Sequence, residues 1–107
     1  MIDKSPNFNY IKEISPGDTE FKKNIIAILK TELPIEINDF NENFRQKKYL
    51  NAAKNVHKLK IKISLLGLPE AHQLASNFEK ELKNKKTTLI VDFNEVLVKI
   101  SKFVQNL

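Results

Sequence analysis

From Asp18 onward, Phe21, Ile25, Ile28, Leu29, Leu33, Ile37, Phe40 and Phe44 recur at helical spacing. Residues on an α-helix advance about 100° each, so this set traces one apolar stripe along a single long helix. A stripe of that length cannot stay in water, and the rest of the chain supplies matching surfaces. Around residues 48–66, Tyr49, Ala52, Ala53, Val56, Leu59, Ile63 and Leu66 form a second stripe. Ala71, Leu74, Ala75, Phe78 and Leu82 form a third, and Leu89, Phe93, Val96, Leu97, Ile100, Phe103, Val104 and Leu107 a fourth. No segment sustains the period-two alternation of a half-buried strand.

The punctuation between stripes is sparse, with two glycines and four prolines. Before the first stripe, Phe8, Ile11 and Ile14 suggest a short amphipathic helix that ends at "SPGD". Pro16 and Gly17 turn the chain there, and Ser15 or Asp18 is placed to cap the next helix by accepting a backbone N–H. Pro34 interrupts the first long stripe, which predicts a kink or a break into two helices, and the unshifted phase of the stripe favours the kink. "RQKK" then reads as a turn, Pro69 suits a helical first turn, and "KNKKTT" reads as a connection with Thr87 or Thr88 as a cap. Four amphipathic helices with short links predict an all-α fold, an antiparallel up-and-down four-helix bundle with a short N-terminal capping helix. Residues 1–107 are expected to form a single domain, the size that supports one core.

Composition narrows the chemistry. The absence of cysteine removes disulfides, thiolate metal sites and cysteine nucleophiles. "MIDKSPNFNY" lacks the apolar stretch of a signal peptide, and no run reaches the eighteen or so apolar residues of a membrane span. A cytoplasmic monomer with no membrane partner is the expectation. No glycine-rich phosphate loop or nucleophile elbow is present, which argues against an ATP-using kinase or a hydrolase.

Charge is unevenly placed. Between Glu42 and Glu70 there is no acidic residue, yet Arg45, Lys47, Lys48, Lys54, Lys58, Lys60 and Lys62 all fall there. Removing those seven from the 18 basic residues leaves 11 against 13 acidic ones, so the positive excess is local. Such a patch suits an anionic partner or is simply a solvated face. At its centre stands His57. Positions three, four and seven along share its face, giving it Lys54, Lys60, Ile61 and Ser64 as neighbours, while Val56, Leu59 and Ile63 turn inward. Imidazoles titrate just below neutrality, so a histidine at a core boundary offers a lone pair to solvent at cytosolic pH. The second histidine, His72, reads as a surface residue, and two histidines without supporting carboxylates make no metal site.

"HKLKIKISLLG" resembles the phosphorylated-helix motif of the histidine-containing phosphotransfer (HPt) domain family, H-x-L-K-G followed by a glycine ten residues after the histidine. His57, Leu59, Lys60 and Gly67 fall on those places, and Ser64 holds a position that is commonly small or polar. "YIKEISPGDTEFKKNIIAILKTELP" resembles the family's first helix, turn and second helix, and "GLPEAHQLASNFEKEL" its fourth. The resemblance implies a phosphorelay intermediate rather than an enzyme that uses ATP. His57 would be the phosphoacceptor and Lys60 would stabilise the phosphoryl group. Lys54, Lys58, Ile61, Lys62, Ser64 and Gly67 would meet the partner. That partner would be the receiver domain of a response regulator or hybrid histidine kinase, contributing the acidic pocket and Mg²⁺, with no cofactor held by this chain. One departure is Ile61, where the family has glycine. Helical side chains lean toward the N-terminus, so Ile61 is expected to lean toward His57. Two other readings are a degenerate HPt-like module that docks without transfer and a small basic helical protein that binds nucleic acid through residues 45–62.

Overall fold

The computed structural model describes residues 5–107, and among them there are five α-helices and no strand. They are α1 (Asn9–Ile14), α2 (Thr19–Arg45), α3 (Tyr49–Leu65), α4 (Pro69–Lys83) and α5 (Ile90–Gln105). None is long and apolar enough to cross a membrane.

Asp18 opens α2, its carboxylate accepting the Phe21 N–H at 2.9 Å while Ser15 donates its hydroxyl to the other oxygen at 3.4 Å. The helix then runs 27 residues with Pro34 inside it. The break allowed for at Pro34 does not occur. Proline removes the N–H that would reach the Lys30 carbonyl, at a cost of roughly 3 kcal/mol. Leu29 and Leu33 before it, and Phe40 after it, are all fully buried. Each such side chain contributes about 1.5–3 kcal/mol, so keeping the stripe continuous outweighs the lost bond.

Three helices end in the left-handed backbone region. Gly67 (φ 71°) follows α3, whereas lysines hold the corresponding places after α2 (Lys47, φ 59°) and α4 (Lys85, φ 58°). The lysine turns close in the same way. Lys47 N–H reaches the Phe44 carbonyl at 3.0 Å and Lys48 N–H the Asn43 carbonyl at 2.8 Å, while Lys85 and Lys86 bond Leu82 and Glu81 at 3.0 and 2.8 Å. These paired bonds satisfy carbonyls that a helix end otherwise leaves open. The start of α5 corrects the sequence reading: neither Thr87 nor Thr88 caps it. Glu81 of α4 does so, its carboxylate accepting the Leu89 N–H at 3.1 Å and the Thr88 hydroxyl.

Helix α3 packs against α2 and α4, and α5 packs against both α2 and α4, so the four long helices close a ring of contacts around one core. Phe40 of α2, Phe78 of α4 and Phe93 of α5 meet in its middle, with ring centroids 5.0–6.0 Å apart. The N-terminal segment lies across one end. Ile11 is buried, Asn7 N–H bonds the Leu66 carbonyl at 2.8 Å, and Phe8 tilts against Phe103. Ile14 and Ile28, expected inward, are exposed.

Candidate functional site

His57 projects from the third turn of α3. Val56 and Leu59 on either side of it are fully buried and fix the rotation of the helix, which leaves 58% of the imidazole open to solvent. Ile61, one turn on, is itself 54% exposed, so it stands beside an open ring rather than sealing it.

The ring is oriented from α4. Glu79 follows the buried Phe78, and its side chain is only 12% exposed at the α3–α4 seam. Its carboxylate oxygens lie 3.3 and 3.4 Å from His57 Nδ1, a long contact shared between both oxygens. Lys60 Nζ donates to the same carboxylate at 3.0 Å, and Lys83 Nζ lies 3.4 Å from it. Burial alone would raise the pKa of Glu79. The Lys60 hydrogen bond and charge, with His57 adding in the same sense, outweigh burial and hold it below the usual carboxylate range. An ionised carboxylate can only accept, so in the neutral ring the contact fits a proton on Nδ1 and the lone pair on Nε2.

The proposed site residues fall into three groups. His57, Lys60, Lys54, Lys58 and Ile61 share one face, with Lys54 and Lys58 exposed and without an ion-pair partner among the described residues. Lys60, expected to face solvent, is instead largely covered, because it turns to Glu79. Lys62 leaves this face altogether. It is buried between α3 and α2, where it binds Glu32 at 2.8 Å and Glu36 at 3.1 Å. That corrects its placement on a docking face: its charge is already matched within the fold. Gly67 and Ser64 line a separate groove of about 650 Å³ with Tyr10, Glu13 and His72. Gly67 takes a left-handed backbone angle at no steric cost, and a Cβ there would force the Asn7 carboxamide to move.

Glu79 is absent from the sequence reading, which finds no carboxylate supporting a histidine, and Lys83 is read there only as a solvated residue of its helix. The available signal was weak: Glu79 adjoins a core phenylalanine and precedes Lys83 by one turn. Nothing in the chain alone says that this edge of α4 faces His57. Comparisons with protein-family models, curated proteins and solved structures returned no match.

Proposed function

We infer that this chain is a phosphohistidine intermediate of the HPt kind, built on an antiparallel up-and-down four-helix bundle formed by α2 to α5. The observation that carries the reading is the exposed imidazole whose Nδ1 is held by Glu79, itself anchored by Lys60 and Lys83. Nε2 attacks the phosphorus of an aspartyl phosphate on a receiver domain. The P–N bond forms as the acyl phosphate P–O bond breaks, and the aspartate departs as a carboxylate. The phosphorylated ring keeps its Nδ1 proton, and Glu79 offsets the positive charge that the ring gains. Reversal passes the group onward. Transfer of this type depends on positioning and charge rather than on many catalytic groups, which suits a site with one nucleophile and one orienting carboxylate. Mg²⁺ belongs to the receiver. Lys54 and Lys58 favour encounter with an acidic docking face, chiefly through the association rate.

The nucleic-acid reading loses ground because the basic stretch is divided. Arg45 pairs with Glu42, Lys60 with Glu79, and Lys62 with Glu32 and Glu36. The test is incubation with phosphorylated receivers and Mg²⁺. An acid-labile, base-stable phosphoprotein that disappears in His57→Gln is expected; label retained by that variant refutes the assignment.

A further inference from the structure

The α2–α3 turn and the α4–α5 connection come together at one end of the molecule. Lys47, Lys48, Tyr49, Leu50, Asn51 and Lys85 line a single shallow depression of about 350 Å³ there. Lys47, Lys48, Lys85 and the adjoining Lys86 are all exposed, and none has an ion-pair partner among the described residues. The neighbouring acidic groups are already engaged, Glu42 with Arg45 and Glu81 with the start of α5. Leu50, on the rim, is 60% exposed.

Two features set this end apart from an ordinary charged surface. First, Lys47 and Lys85 occupy left-handed positions where glycine carries no steric penalty, and the chain does use glycine at the equivalent turn after α3. Backbone strain retained at two turns that share one depression points to the side chains as the reason for keeping it. Second, one cation beyond each helix C-terminus would answer the macrodipole, but each turn carries two. The surplus charge surrounds an exposed leucine.

We propose that this end of the molecule docks on an anionic membrane surface, with Lys47, Lys48, Lys85 and Lys86 meeting lipid phosphates and Leu50 entering the headgroup boundary. Basic residues around an exposed apolar side chain match that two-part chemistry. Nucleic acid fits less well, because the charge is gathered at an end rather than along a track, and the one aromatic ring, Tyr49, is half-buried and packs on Phe44 at 5.8 Å. The contact lies on the surface and involves no span. Leu50 precedes His57 by seven residues on α3, about 10 Å along the axis, so the proposal stands independently of phosphotransfer.

The test is co-sedimentation with vesicles of phosphatidylcholine, with and without phosphatidylserine, using the wild type, a Lys47→Gly/Lys85→Gly double variant and Leu50→Ser. Glycine relieves both left-handed positions, so the double variant should melt no lower than the wild type, and lost binding would not reflect unfolding. Binding is expected only with phosphatidylserine present. It should fall about 25-fold in the double variant, roughly fivefold per lysine near an anionic surface, and should also fall in Leu50→Ser. Absence of binding to the anionic vesicles, undiminished binding by the double variant, or capture of duplex DNA in place of vesicles overturns the proposal.

Discussion

A carboxylate held 3.3 Å from His57 Nδ1 favours one tautomer of the ring in the proposed phosphotransfer, and this makes Glu79 the most testable residue in the structure. Nitrogen-resolved NMR at mildly alkaline pH should show His57 protonated at Nδ1 in the wild type and shifted toward the Nε2–H form in Glu79→Ala; an unchanged tautomer would mean that Glu79 does not orient the ring. Phosphotransfer in Glu79→Ala should slow by about tenfold or more, equivalent to ~1.4 kcal/mol of barrier. Ile61→Gly should behave differently. With the ring already open, removal of the Ile61 side chain is expected to leave the transfer rate unchanged, while an interior helical glycine costs about 1 kcal/mol, read by urea denaturation. Faster transfer would show that Ile61 does crowd the histidine. The sequence placed His57, Lys60 and Ile61 on a common face because helical spacing within one element is local information. It missed Glu79 because that pairing depends on the rotation of α4 against α3, which no spacing encodes.

Elements are joined here by a few long-range polar contacts, and Lys62 is the plainest. Burial would lower its pKa, but the hydrogen bonds and charges of Glu32 and Glu36 outweigh burial and raise it. A raised lysine pKa means stability that is fully present below the unfolded value of about 10.5 and is lost as pH rises through the folded value. The α2–α3 junction should therefore weaken in strong alkali. Lys62→Ala leaves Glu36, one of whose oxygens is buried without a partner, beside an empty space. The expected loss is about 2 kcal/mol, less than for a fully buried pair because Glu32 remains half in solvent. Lys62→Met fills the same volume but leaves both carboxylates unpaired, so it should recover little of that loss; recovery of most of it in denaturant titration would assign the effect to packing instead of charge. From sequence, Lys62 was indistinguishable from its exposed neighbours Lys54 and Lys58. It lies only about 40° from Lys58 and about 80° from Lys54 around the helix, on the side nearer the buried stripe, and that difference matters only once α2 occupies that side.

Across the whole molecule, the four apolar stripes were legible because each obeys a single period, and Leu33, Phe40, Val56, Leu59, Phe78 and Phe93 are all buried as that period requires. Continuity through Pro34 was legible in the unbroken phase of the stripe, whereas the capping of α5 by Glu81 was not, since it is settled by a contact between distant segments. The same dependence links the core to the site. Phe78 packs on Phe40 and Phe93 and sits directly beside Glu79, so the aromatic cluster that closes the helix ring also sets where the orienting carboxylate lies. Phe78→Ala should cost about 3–5 kcal/mol, a large share of the 5–15 kcal/mol typical of a whole domain. Amide protection should then fall together in α2, α4 and α5, because the ring contacts span all three helices. Loss confined to α4 would show that the helices unfold separately. Since the Glu79 pKa is held low in the folded state, the stability tied to it is present above the unfolded carboxylate value and is lost as pH falls through the folded one. Phe78→Ala, by releasing α4, should abolish that acid-side dependence along with the Nδ1 tautomer of His57, whereas Glu79→Ala should abolish both with the aromatic core intact. If the tautomer survived in Phe78→Ala, the carboxylate would be positioned by Lys60 and Lys83 alone, and the coupling between core and site would be absent.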